Sequence, residues 1–171
     1  MQKILFYTRN NAEKHVIVKN ILYFLSSIAD VSVIPFASVF KMRKTFAKQK
    51  FDYVYHDDPI AYILFSFFGV KAKKIFHSLE MYEYQIDINN PKRIARFLVF
   101  LICHRLALKG SELVIFPNLL RRNFYLDKYK WLDVDKTAIL KNIPRTLEGG
   151  GLKITLKIKL LNYSPKSLKQ L

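Results

Sequence analysis

Residues 51–77 read FDYVYHDDPIAYILFSFFGVKAKKIFH, and this stretch contains one complete unit of the fold. Residues Tyr53–His56 have the length and composition of a buried strand. An apolar helix is predicted over Pro59–Phe68, with proline in its first turn and Gly69 just past its end. The next strand is predicted at Lys74–Phe76. A strand, a helix and a strand in this order are typical of a parallel sheet, because the helix carries the chain back across the sheet.

The same alternation extends in both directions from this unit. Six strands are predicted, at Lys3–Thr8, Val31–Pro35, Tyr53–His56, Lys74–Phe76, Leu113–Phe116 and Thr137–Leu140. Helices are predicted at Ala12–Ile28, Ser38–Lys50, Pro59–Phe68, Pro91–Lys109 and after Asn118. We therefore predict one α/β domain over residues 1–145, a Rossmann-like doubly wound parallel sheet of about six strands with helices on both faces.

The charge is strongly basic, with 29 Lys and Arg against 13 Asp and Glu, which gives a net charge of +16. This excess points to an anionic partner such as a membrane surface, a nucleic acid or a phosphorylated substrate, although a lysine-rich solvated surface explains it equally well. No acidic residue follows Glu148, whereas five lysines follow Leu152. We interpret residues 146–171 as a basic tail, and we expect either a truncated or frameshifted gene product or a stand-alone half that pairs with another chain.

Several chemistries are excluded by missing residues. The chain has one cysteine, Cys103, so it forms no internal disulfide and no cysteine-rich metal site, which suits a reducing cytoplasm. The turn after the first strand, residues 8–13, has no glycine, so the dinucleotide fingerprint and the P-loop are absent. We expect no cofactor and no metal. The longest apolar run, Pro59–Val70, is shorter than a membrane span, and we interpret Phe97–Leu108 as core rather than membrane anchor.

Polar residues follow the carboxyl ends of the predicted strands, where ligands bind in open α/β sheets. The candidate site residues are His77 together with Arg9, Asn10, Asp57, Asp58, Glu80, Glu83, Asn118 and Asn142. Structural alternatives stand beside these assignments. One of Asp57 and Asp58 is expected to be an ordinary N-cap of the helix that follows, and Asn118 likewise. A backbone carbonyl is an ordinary partner for His77.

Five segments together resemble the amino-terminal domain of GT-B glycosyltransferases of family 4: Lys3–Tyr7, Phe51–Pro59, Lys74–Glu83, Leu113–Asn118 and Ile139–Pro144. The resemblance implies two Rossmann-like domains that face each other across a cleft. It implies that the amino-terminal domain binds the acceptor and that the carboxyl-terminal domain holds the nucleotide-sugar. His77 would then be the catalytic candidate near the donor sugar, and Glu80 would help to shape the acceptor side.

The chain departs from the family pattern in two respects. Arg9-Asn10-Asn11 stands where family members commonly carry a glycine-rich loop. The paired glutamates of the donor-binding domain are absent, so we expect the chain to be inactive alone and to pair with a carboxyl-terminal half on another chain. The resemblance implies transfer of a sugar from a nucleotide-sugar to a glycan or lipid-linked acceptor, as in polysaccharide biosynthesis.

The location and the alternative function follow from the charge. We expect a cytoplasmic protein whose basic surface fits work at the inner, anionic face of the membrane. The alternative is a basic nucleic-acid-binding or membrane-surface module without catalysis. The residues proposed to contact phosphates in that alternative are Lys41, Arg43, Lys44, Lys48 and Lys50. Nucleic acid is disfavoured, because no recognition helix or aromatic platform accompanies the charge.

Overall fold

A computed structural model describes residues 2–8, 16–35, 44, 49–79 and 91–140. Within these ranges six strands form one sheet: β1 Lys3–Thr8, β2 Asp30–Pro35, β3 Tyr53–His56, β4 Lys73–His77, β5 Leu113–Phe116 and β6 Thr137–Ile139. The order across the sheet is β2-β1-β3-β4-β5-β6, and every neighbouring pair is parallel. The predicted parallel α/β fold is confirmed.

The limits of β1, β3 and β5 are as predicted, whereas those of β2, β4 and β6 differ from the predicted ones by one residue at one end or both. One of these differences matters for the site. His77 is the last residue of β4, paired with Ile115 of β5, whereas the sequence pattern ends this strand at Phe76. The ladder continues past His77, because the backbone N–H of Ser78 donates to the carbonyl of Ile115 at 2.9 Å. His77 is therefore held by the sheet itself.

Four helices accompany these strands in the described ranges: α1 Val16–Ser26, α2 Pro59–Phe67, α3 Pro91–Gly110 and α4 Leu119–Lys128. A short 3-10 turn, Val134–Lys136, precedes β6. The helix α3 ends at Gly110, one residue beyond the predicted end at Lys109. Of the predicted first helix, Ala12–His15 lie outside the described residues, as does most of the predicted Ser38–Lys50 helix.

Each strand sends alternate side chains to opposite sides of the sheet. Both faces are buried, because helices pack on both of them. On one face, β1 and β3 pack against α1, and the buried residues include Ile4, Phe6, Val18, Ile21 and Tyr55. The opposite face packs against the other three helices, through two groups of residues. One group is Leu5, Tyr7, Val54, Ala61 and Phe65, and the other includes Phe76, Ala107, Leu108, Val114, Phe116 and Tyr125.

The helix α3 is only half buried, and this corrects the prediction that Phe97–Leu108 is core. Cys103, Ala107 and Leu108 are buried, as predicted for this segment. Leu98, Val99, Ile102 and Leu106 are exposed, so the prediction is wrong for this side of the helix. An apolar run alone does not show which side of a helix meets the sheet. Among the described residues, no helix has the length and apolar character needed to cross a membrane.

The strand order defines a topological switch point between β1 and β3. The chain leaves β1 toward β2 on one side and returns to β3 on the other side. In open α/β sheets the connections diverge at such a point, and a crevice opens at the carboxyl ends of the two strands. Thr8 ends β1 and Asp57 follows β3, so these two residues lie at the crevice.

We predict that Phe6→Ala destabilises the fold by roughly 3–5 kcal/mol, because it removes a fully buried ring from the sheet. Phe6 stacks on Tyr55 with ring centroids 4.9 Å apart. Phe67→Ala is the matched control, since this ring is 82% exposed and its loss changes the free energy of unfolding by less than about 0.5 kcal/mol. Urea unfolding of both variants measures the difference. Equal effects would contradict the assignment of β1 to the core.

Candidate functional site at the carboxyl edge of the sheet

The switch point carries a fixed carboxylate. The Thr8 hydroxyl donates to Oδ2 of Asp57 at 2.8 Å, and Thr8 is buried. The two residues lie 49 positions apart in the sequence and are brought together because β1 and β3 are neighbours. The hydrogen bond orients the Asp57 carboxylate at the place where the fold opens its crevice.

His77 lies one strand away from the switch point and is fully buried. Its Nδ1 is hydrogen-bonded to the Tyr55 hydroxyl, and the two rings meet edge to face with centroids 6.0 Å apart. Tyr55 in turn stacks on Phe6, its partner in β1. Phe6, Tyr55 and His77 therefore form a row across three strands on the face that α1 covers.

The protonation state of this pair is set by burial. Burial, with a smaller effect of Arg121, lowers the pKa of His77 to about 3. Burial, with a smaller effect of Asp57, raises the pKa of Tyr55 well above its ordinary value. Both groups are therefore neutral near pH 7. A phenol O–H donates readily to the bare nitrogen of a neutral imidazole, so we assign the Tyr55 hydroxyl as the donor to Nδ1, which leaves the imidazole proton on Nε2.

This assignment makes His77 a neutral hydrogen-bond donor. Its Nε2 is buried and has no hydrogen-bond partner within the part of the chain that the structure describes. A buried N–H without a partner is unfavourable by about 1–3 kcal/mol, and a ligand oxygen that reaches it removes that penalty. An imidazole with a pKa of about 3 is uncharged at neutral pH, so His77 is suited to binding a ligand rather than to protonating one.

The backbone that follows β4 is held by two other helices. The Ser78 hydroxyl is hydrogen-bonded to Nε2 of His104 on α3 at 3.0 Å. On α4, Nη1 of Arg121 donates to the carbonyl of Leu79 and, at 3.4 Å, to that of Ser78. These contacts fix the direction in which the chain leaves His77. Sequence reasoning misses Arg121 and His104, because both act through residues distant in the sequence.

Asp58 and Asn118 serve as helix caps at this same edge, which confirms the structural alternative for both. Asp58 is buried and accepts from the Ile60 N–H at 2.9 Å at the start of α2. Asn118 accepts from the Arg121 N–H at 2.8 Å at the start of α4. Their predicted contacts with a substrate stay predictions, as does that of Asp57.

His56 is a second buried histidine, but it lies on the opposite face of the sheet. Its Nδ1 donates to the backbone carbonyl of Asp58 at 2.9 Å, and its ring stacks on Phe76 with centroids 5.1 Å apart. Burial lowers the pKa of His56 to about 4, against the opposing effect of the bond to Asp58, and Lys74 lowers it further. His56 therefore supports the α2 cap from inside the core.

Five of the predicted site residues lie outside the described residues: Arg9, Asn10, Glu80, Glu83 and Asn142. The structure places the other four, His77, Asp57, Asp58 and Asn118, along the carboxyl edge. Of the basic residues in the nucleic-acid alternative, Lys44 and Lys50 are described, and both are exposed. Across the described ranges, no three His, Cys, Asp or Glu side chains are grouped so that they could hold a metal ion.

Comparison with protein-family models and with curated sequences adds no relative to this picture. No protein-family model matches the chain, and no curated protein matches its sequence. The class of protein is therefore defined by the fold alone. It is a Rossmann-like α/β domain with a polar carboxyl edge, on which Asp57 and the Tyr55–His77 pair are the oriented groups.

We predict that the free energy of unfolding falls as the pH falls below about 6.5. The unfolded chain binds a proton at His56 and at His77 near the ordinary pKa of 6.5, whereas the folded chain binds them only near pH 4 and pH 3. Each histidine therefore removes roughly 1.4 kcal/mol per pH unit in this window. Urea unfolding between about pH 7 and about pH 5 measures the slope.

His77→Gln is the variant that checks this assignment. Glutamine keeps a polar group beside Tyr55 but does not titrate, so the slope becomes smaller by roughly 1.4 kcal/mol per pH unit. The dependence that His56 contributes remains. A slope that is unchanged in the variant would show that His77 is not held neutral in the folded chain.

Proposed function

We propose that this chain is the acceptor-binding domain of a GT-B glycosyltransferase of the family 4 type. In this role it binds a glycan or lipid-linked acceptor at the carboxyl edge of its sheet. A second Rossmann-like domain holds the nucleotide-sugar. The observation that carries the proposal is the buried Nε2 of His77, which has no hydrogen-bond partner in the described part of the chain and which we assign as a donor. The confirmed parallel sheet and the resemblance of Lys74–Glu83 to the family support it.

The chemistry of the edge favours a sugar hydroxyl over a phosphate as the group bound. Phosphates are held best by charged donors, in particular by arginine. His77 is neutral, and Arg121 donates to the carbonyls of Ser78 and Leu79. A hydroxyl both donates and accepts, so it can accept from Nε2 of His77 and donate to a carboxylate such as Asp57. Because the His77 ring is fully buried, contact with a ligand requires local opening of the edge.

We predict that His77→Ala weakens the binding of an acceptor saccharide by about tenfold, the effect of one lost hydrogen bond. Calorimetric titration of the chain with a panel of oligosaccharides and nucleotide-sugars identifies a ligand and measures its affinity. Leu5→Ala is the matched control. It removes a fully buried side chain from the opposite face of the sheet, in the middle of β1 and away from the carboxyl edge, so it lowers stability and leaves the affinity unchanged.

Two results would contradict the proposed function. One is the absence of binding by every oligosaccharide in the panel, whether or not a nucleotide-sugar binds. The other is an equal loss of affinity in His77→Ala and Leu5→Ala, because such a loss would reflect general destabilisation. The melting temperature of each variant, measured without ligand, shows whether the protein is folded at the temperature of the titration.

A further inference from the structure

One side of α3 is apolar and exposed. Leu98, Val99, Ile102 and Leu106 are between 43% and 58% exposed. Leu98, Ile102 and Leu106 are spaced four residues apart, and Val99 lies beside them, so all four share one side of the helix. We call these four residues the α3 stripe. Single exposed apolar residues are ordinary on protein surfaces, but a contiguous row of them marks an interaction surface.

Basic residues border the stripe. At about 100° per residue, Arg105 lies at one border of the stripe and Arg96 at the other. Both are exposed. The Arg105 guanidinium lies 5.5 Å from the centroid of the Tyr129 ring, and that of Arg96 lies 5.7 Å from the centroid of Phe100. Lys109 is exposed near the end of the helix.

The charge of α3 restricts what can cover the stripe. Its sequence, PKRIARFLVFLICHRLALKG, contains five Lys and Arg and no acidic residue. A second copy of the chain would bring these cations against their own equivalents, and each copy carries a net charge of +16. This repulsion opposes self-association. The partner that fits is one with an apolar interior and a negatively charged surface.

We propose that α3 lies flat on an anionic lipid bilayer. The α3 stripe enters the boundary between headgroups and acyl chains, and Arg96, Arg105 and Lys109 reach the lipid phosphates. A helix whose exposed side is apolar and bordered by cations binds membranes in this way, and arginine side chains at the border extend toward the headgroups. From Leu98 to Leu106 the stripe is about 12 Å long. This surface is separate from the proposed acceptor site and does not depend on it.

Vesicle flotation of the full chain tests the proposal. The probes are phosphatidylcholine vesicles, with and without about one third of phosphatidylglycerol. We expect binding to the anionic vesicles and little binding to the neutral ones. The double variant Leu98→Gln/Ile102→Gln should bind at least about tenfold more weakly, because two apolar side chains no longer enter the bilayer. Leu120→Gln, at a leucine of α4 that is 82% exposed, is the matched control and should bind like the wild type.

A second measurement shows whether the α3 stripe enters the bilayer, and it does so without placing a glutamine in the stripe. Ile102→Cys is made in a chain whose own Cys103 is replaced by serine, and it is labelled with an environment-sensitive fluorophore. Anionic vesicles should shift the emission to shorter wavelength, as expected of a probe that leaves water. The same label at Leu120→Cys should show no shift.

The remaining outcomes overturn the proposal. Absence of binding to anionic vesicles, or equal binding by the double variant and the wild type, would show that α3 does not dock on lipid. Sedimentation that shows a dimer, lost in Leu98→Gln/Ile102→Gln, would assign the stripe to a second copy of the chain. Binding to soluble polyglutamate that competes fully with the vesicles would assign the basic border to an acidic polymer.

Discussion

The row formed by Phe6, Tyr55 and His77 depends on the parallel register of β1, β3 and β4, and the chemistry of the edge depends on this row. Phe6 stacks on Tyr55, and the Tyr55 hydroxyl bonds to His77. Because the row is buried, it keeps both polar groups neutral and directs one hydrogen bond inward. The other nitrogen of His77 is left without a partner in the described residues. A shift of register by one residue would move His77 to the opposite face of the sheet and remove it from this row.

Sequence reasoning predicts those features of the structure that depend on residues close together in the chain. The six strands, the Pro59 start of α2 and the caps at Asp58 and Asn118 are of this kind, because propensity and capping act over a few residues. The hydrogen bonds of the candidate site, by contrast, join residues that are far apart in the chain. Tyr55 and His77 are 22 residues apart, and Arg121 and Leu79 are 42 apart, so their contacts follow only from strand order and helix docking.

The sequence is strongly basic, yet the hydrogen-bonding groups at the carboxyl edge are neutral. The two facts are compatible because the charged side chains lie on the surface and the neutral ones are buried. Among the described residues, three histidines, His56, His77 and His104, are fully buried, whereas Lys44, Lys50, Arg105 and Lys109 are exposed. Burial disfavours a charged imidazole, so the buried groups act through hydrogen bonds. The exposed Lys and Arg side chains produce the electrostatic field around the protein. The net charge therefore indicates which molecules the surface attracts, but it says little about which ligand binds at the carboxyl edge.

The helix α3 connects the two surfaces. Its buried side packs against Phe76 in the core and places His104 against the Ser78 hydroxyl, directly after His77. Its exposed side carries the α3 stripe. A helix that docks on a bilayer through one side and holds the backbone beside the site through the other would fix the distance of that site from the lipid. An acceptor with a lipid anchor is the class of ligand for which such a fixed distance matters, because its sugar stays close to the membrane surface.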